Sequence, residues 1–129
     1  MSVTHSTTAR NAATDAVTAL IGASGRLKFR IAGTIGAPGA AAANLALSAT
    51  AFGASASGTA TANAIASDTN AAGNASPVAT ASLETSGGTL HIHCAVAASA
   101  SDINMSNGLT VATGDTVACS ALTYTALPA

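Results

Sequence analysis

Residues 26–31 alternate strictly between basic and large apolar side chains, in the order Arg-Leu-Lys-Phe-Arg-Ile. A period of two is typical of a β-strand that buries one face, because successive side chains of a strand point to opposite sides. The pattern therefore predicts a strand with Leu27, Phe29 and Ile31 facing the core. We expect this strand to provide a surface on which the preceding segment packs.

That preceding segment has the periodicity of a helix. Apolar residues recur at three- and four-residue spacings and predict one α-helix over about residues 6–23. The hydroxyl residues at positions 6–8 are suited to cap its start, and Gly22 or Gly25 to end it. The apolar stripe consists of Ala9, Ala13, Ala16, Val17, Leu20 and Ile21. The residues expected to point outward are Arg10, Asn11 and Asp15.

Arg26, Lys28 and Arg30 fall on the outer face of the predicted strand and form the densest charge in the chain. An acidic surface on another protein would use such a face, so we predict a partner contact at these three residues. The alternative is a solvated strand face that discourages unwanted pairing at the edge of a sheet. In both cases we expect the three side chains to be replaceable without unfolding the protein.

Short strands separated by turn residues account for most of the remaining chain. The separators are rich in Gly, Asn, Asp and Ser, which favour turns. Residues 33–44 contain Gly, Pro and a run of four alanines, and are predicted to form a loop that orders against a neighbour. The predicted strands cover residues 45–52, 59–67, 78–84, 89–97, 109–112 and 116–125.

These elements predict a mostly β fold. We expect an antiparallel β-sandwich or small barrel of six to seven strands preceded by one N-terminal α-helix. The length of 129 residues suits a single domain, residues 1–129, with the helix over about residues 6–23 and a β-rich body over about residues 26–125.

Large apolar side chains are scarce in this chain. Hydrophobic residues make up 49% of it, but most of them are alanine, and the only aromatic residues are Phe29, Phe52 and Tyr124. An alanine methyl buries far less surface than Leu, Ile or Phe. Burial at a subunit interface would add stability, so we expect a homo-oligomer or a docked subunit.

Charged residues are also few. Four basic and five acidic residues give a formal net charge of −1. This argues against a general nucleic-acid or anionic-membrane binder, and a nearly neutral surface fits a protein held at fixed places in an assembly. There is no apolar run near the roughly 18 residues of a membrane helix, and the N-terminus has no secretory pattern, so we expect synthesis in the cytoplasm.

The histidines and cysteines are the next candidates for chemistry. His91 and His93 flank Ile92 in a predicted strand, so both imidazoles would share one face, but two ligands do not make a metal site. Cys94 and Cys119 lack CxxC spacing and are predicted to be small buried hydrophobes, with a disulfide as the alternative.

The sequence gives no support for catalysis. There is no nucleophile elbow, phosphate-binding glycine loop or HExxH, and the acids are scattered. Asp68, Asp102 and Asp115 lie in predicted turns, where turn chemistry explains them as well as calcium would, and no DxDxDG spacing occurs. We predict no enzyme activity, no cofactor and no metal.

Several segments along most of the chain resemble a family of small structural proteins from the virions of tailed bacteriophages. In that family a short N-terminal helix leads into a strand, which is the arrangement predicted for the start of this chain. The matching residues are Thr4-His5-Ser6-Thr7, Arg10-Asn11-Ala12, Asp15-Ala16-Val17, Gly25-Arg26-Leu27-Lys28-Phe29-Arg30, Ala51-Phe52-Gly53-Ala54, Leu109-Thr110-Val111, Gly114-Asp115-Thr116-Val117 and Leu122-Thr123-Tyr124-Thr125. Residues 33–44 depart from the family in being longer and richer in alanine.

The resemblance implies a head decoration or cement protein. Such a subunit docks on the outer surface of the virion capsid and braces the major capsid protein and neighbouring copies of itself, with a homotrimer as the natural form. A tail or fibre component is the alternative within structural proteins. A ligand-binding β module that reads sugars is the alternative outside them, although the scarcity of aromatic side chains disfavours it.

Overall fold

The alternating segment forms β1, a central strand of a five-stranded sheet, in a computed structural model that describes residues 3–127. The sheet has the order β2-β1-β4-β5-β6, and β3 pairs with β7 in a separate two-stranded sheet. The elements are α1 (Thr7–Ala19), β1 (Arg26–Arg30), β2 (Ala41–Ala46), β3 (Thr59–Thr61), β4 (Thr80–Glu84), β5 (Leu90–Ala97), β6 (Ile103–Asn104) and β7 (Thr123–Thr125).

The predicted mostly β fold with one N-terminal helix is confirmed, but the main sheet is mixed rather than antiparallel. β1 pairs antiparallel with β2 and β4, and β4 pairs antiparallel with β5. The exception is β6, which runs parallel to β5 with Val96 opposite Ile103. Beside this pair, Ala95 donates its backbone N–H to the Asp102 carboxylate at 3.0 Å, so a turn side chain occupies the edge of β5 where an antiparallel strand would otherwise pair.

The boundaries of β2 correct the sequence prediction. Residues 41–44, predicted as loop, are strand, and residues 47–52, predicted as strand, lie outside it. Ala43 pairs with Phe29 of β1 and is buried there. The pairing with a strongly patterned neighbour overrides the low intrinsic β-propensity of alanine.

The helix begins as predicted, and its buried face overlaps the predicted stripe only in part. Ser6 caps it by accepting the backbone N–H of Ala9 at 3.1 Å. The buried helical residues are Thr14 and Thr18, and Ile21 of the stripe is fully buried just after the helix, whereas Ala9, Ala16 and Leu20 are exposed. Thr14 donates its hydroxyl to the Gly58 carbonyl at 2.6 Å, which brings the helix close to the loop before β3. Among the described residues, no helix is long and apolar enough to cross a membrane.

The outward positions of the helix also hold this loop. The amide oxygen of Asn11 accepts the backbone N–H of Gly58 at 2.7 Å, and the carboxylate of Asp15 accepts that of Ser55 at 2.9 Å. The predicted solvent-facing side of the helix is therefore partly a hydrogen-bonded contact.

The core lies on one side of the main sheet and is built largely from small side chains. Six of its seventeen buried hydrophobic residues are alanines, and Phe29 and Phe52 are its largest members. Leu27 is fully buried beside Phe29, as the alternation predicts. Ile31 is only half-buried, because the chain leaves the sheet at this point.

Residues 31–40 form a projecting β-hairpin between β1 and β2, which we call the arm. Its two sides are joined by hydrogen bonds from Ile31 N to Ala40 O and from Gly39 N to Ala32 O, both 3.1 Å. Gly33 has φ +113°, and a side chain there would meet the backbone of Gly39. The segment predicted as a loop is thus an ordered hairpin whose tip carries Ile35, 55% exposed.

The hydroxyl of Thr14 is a testable link between helix and loop. It also accepts the backbone N–H of Ala126 at 3.1 Å. Thr14→Val keeps the shape but leaves both backbone groups without this partner, so we expect urea denaturation to show a loss of about 2 kcal/mol. Thr8→Val, the same change at an exposed helical position, should shift stability by less than about 0.5 kcal/mol. Equal losses would show that helix propensity, and not the buried hydrogen bonds, controls the effect.

Candidate interaction surfaces

Glu84 at the end of β4 organises the face of the sheet opposite the core. One carboxylate oxygen lies 2.8 Å from Lys28 Nζ, and the other lies 3.0 Å from Arg30 Nη2. The side chain of Glu84 is only 1% exposed. Antiparallel pairing of β1 with β4 brings these groups together from positions more than fifty residues apart in sequence.

Arg30 connects this cluster to the arm. Its Nε donates to the Ser82 hydroxyl at 3.0 Å, and its Nη1 donates to the Gly39 carbonyl at 2.7 Å. The planar guanidinium presents several donors in fixed directions, so one side chain satisfies partners on two elements, β4 and the arm. The residue as a whole is 8% exposed. Arg30 therefore acts as an internal tie between β1, β4 and the base of the arm.

These contacts take up part of the surface that the sequence predicted for a partner. The three cations do share one face of β1, but Arg30 is buried and Lys28 has a side chain 26% exposed and paired with Glu84. The guanidinium of Arg26 makes no ion pair or side-chain hydrogen bond among residues 3–127. We keep the name cationic face for Arg26, Lys28 and Arg30. Its contact with an acidic partner remains a prediction, carried mainly by Arg26.

The expectation that all three cations are replaceable does not fit this geometry. Removing Lys28 and Arg30 would strand the buried Glu84 carboxylate without a counter-charge, which is strongly destabilising. Glu84 itself was not distinguished by sequence reasoning from the other scattered acids. Residues 81–84 alternate between apolar and polar side chains, and this pattern puts Glu84 on the polar face of its strand. The sequence does not show which strand lies beside it.

His91 and His93 of β5 lie beside an irregularity in the sheet. The pairing of β4 with β5 shifts by one residue between Leu83 and Glu84, so β5 is irregular around His91. His93 lies opposite Ser82, and its Nε2 atom is buried without a hydrogen-bond partner. Within residues 3–127, no group of three His, Cys, Asp or Glu side chains is placed to hold a metal ion.

Both cysteines are free thiols and half-buried, so the structure contains no bond between Cys94 and Cys119. Burial, with the nearby Asp102 carboxylate, raises the pKa of the Cys94 thiol to about 11. Burial also raises the pKa of the Cys119 thiol. A raised pKa keeps the thiol protonated at neutral pH, and the protonated form is a poor nucleophile. This environment gives neither cysteine the activation that nucleophilic catalysis needs.

The three turn aspartates each accept backbone N–H groups. Asp68 binds Asn44 at 2.9 Å and Asn70 at 3.1 Å, and Asp115 binds Ala112 at 2.9 Å. Asp102 accepts the backbone N–H of Ala95 at the edge of β5, at 3.0 Å. Hydrogen bonds to backbone N–H groups in turns and at a strand edge therefore account for the three aspartates. This is one of the two interpretations that the sequence left open.

A groove of about 560 Å³ opens on the core side of the main sheet. It runs between residues 102–108 and 115–123, with Phe29 in its wall. Asp102 and Asp115 line it, and no Lys, Arg or His does among the residues that the structure describes. We call it the acidic groove. Sequence reasoning missed it, because the two segments meet only in the folded chain.

No protein-family model matches the chain, and no curated protein or solved structure does so either.

The Glu84 cluster can be tested by removing the charge alone. Glu84→Gln preserves size but leaves Lys28 and Arg30 close together without a counter-charge, so we expect a loss of about 3–5 kcal/mol in urea denaturation. Asp115→Asn makes the same chemical change at an exposed carboxylate and should cost less than about 1 kcal/mol. A Glu84→Gln loss no larger than that of the control would contradict the role assigned to the cluster.

Proposed function

We propose that this chain is a virion structural subunit that works by docking on other proteins, as a head decoration or cement protein on the outer capsid of a tailed bacteriophage. The single observation that carries the proposal is the arm. It is an ordered hairpin whose tip presents Ile35, a large apolar side chain, 55% exposed, to the outside. The resemblance noted in the sequence supplies the particular assembly.

The construction of the arm favours a docking role. Residues 32–40 are exposed or half-exposed, so the hairpin has little core of its own. An isolated two-stranded hairpin is marginally stable in water. Here Gly39 is held by Arg30, and Thr34 and Ala37 close the tip with two backbone hydrogen bonds of 3.1 and 3.2 Å. A hairpin held in advance loses less conformational entropy when it binds.

The surface composition supports the same role. Of the nine charged residues in the chain, three form ion pairs with one another in the Glu84 cluster. What remains is a surface rich in Ala, Ser and Thr. A single arm contact would be weak, but a subunit that bridges several capsid proteins is retained by multivalency. The major capsid protein and neighbouring copies of this chain are the proposed partners.

The competing functions find less support. A sugar-binding module would need exposed aromatic rings, but Phe29 and Phe52 are buried and Tyr124 is half-buried in β7. A tail or fibre component would use the same kinds of surface. Copy number on the particle separates this second candidate from a decoration protein.

Ile35 provides the test of the arm. Ile35→Ser removes an apolar side chain from an exposed tip, so we expect unchanged folding and a roughly tenfold or greater loss of affinity for purified capsids that lack this chain. Binding is measured by co-sedimentation. Leu20→Ser changes a similarly exposed apolar residue, 53% exposed, on the helix and should leave binding close to that of the wild type. Full binding by the Ile35 variant would exclude the arm as the docking element.

A further inference from the structure

We propose that copies of this chain associate head to tail, with the cationic face of one copy against the acidic groove of the next. The observation behind this is a segregation of charge in a chain that is nearly neutral overall. The cationic face holds three cations against the one carboxylate of Glu84, a formal excess of two positive charges. The acidic groove holds two carboxylates and no cation among the described residues.

The two surfaces lie on opposite sides of β1. Phe29 faces the core and forms part of the groove wall. Lys28 and Arg30, its neighbours in the strand, point to the other side because strand side chains alternate. The two surfaces therefore cannot meet within one molecule, but they can meet between two molecules.

Each surface carries charge that no ion pair within the molecule neutralises. The ion pairs of residues 3–127 are those of Glu84 with Lys28 and Arg30. Asp102 and Asp115 accept only backbone N–H groups, at 3.0 and 2.9 Å, and Arg26 has no ionic partner. Complementary potentials on the two surfaces favour this orientation of encounter over others.

The acidic groove is also concave, and the part of the cationic face that a second copy can reach consists of Arg26 and Lys28, because Arg30 is buried. Two different surfaces in contact make a heterologous interface, which closes into a ring when the rotation between copies permits. Individual exposed ion pairs contribute little, so the association is expected to be weak and strongly dependent on salt. This inference goes beyond the docking proposed above and is tested without capsids.

The test is sedimentation velocity of the purified full chain at ionic strengths of about 0.01 M and about 1 M, where the Debye length is about 30 Å and about 3 Å. We expect association at low ionic strength and dissociation at high ionic strength. Arg26→Gln should weaken association severalfold. Gln is preferred to Glu because Glu84 is the cross-strand neighbour of residue 26.

Asp102→Asn combined with Asp115→Asn should weaken association by a similar or larger factor, while the amide oxygens still accept the backbone N–H groups. Asp15→Asn combined with Asp68→Asn is the control, because it makes the same change in net charge at two carboxylates outside both surfaces and should leave association unchanged. An equimolar mixture of the face variant and the groove variant still has one intact contact between unlike chains. It should regain wild-type affinity and stop at a one-to-one dimer.

A wild-type chain that stays monomeric at low ionic strength would overturn the proposal. So would association that salt and these variants leave unchanged, or failure of the two variants to pair, since that would mean that the two surfaces do not bind each other. If the chain is monomeric and capsids still retain it, only the head-to-tail contact is lost and the docking function stands.

Discussion

The buried pairing of Arg30 with Glu84 is the interaction on which the rest of the structure depends. A carboxylate 1% exposed requires nearby cations, and two cations of β1 supply them. Breaking such a buried pair by removing one partner is far more costly than losing an exposed one. The pairing therefore fixes the register of β1 against β4, and with it the side of the sheet on which Leu27 and Phe29 form the core.

The same guanidinium sets the direction of the arm. By donating to the Gly39 carbonyl, Arg30 joins the returning side of the hairpin to the polar face of the sheet. The arm thus leaves the sheet at a defined place with Ile35 at its tip. Structural stability and the proposed docking surface depend on one side chain, and Arg26 is the cation of this face that has no ion pair among residues 3–127.

Whether a feature could be predicted from the sequence depends on how far apart along the chain its interacting residues lie. The strand at residues 26–30 and the cap at Ser6 depend on local patterns, and both are confirmed. The buried side of the helix was predicted only in part, because Thr14 is buried through a hydrogen bond to Gly58, forty-four residues away. Glu84 and the acidic groove were missed for the same reason, since both arise from pairings of distant segments that no short motif encodes.

The central proposal is that this chain works by occupying fixed positions on the outer capsid. The most direct test is cryo-EM of purified particles combined with the copy number of this chain relative to the major capsid protein. The account predicts a ratio near one to one, with the chain on the outer capsid and the arm inserted against a neighbouring subunit. Absence from the particles, or a few copies confined to the tail, would contradict it.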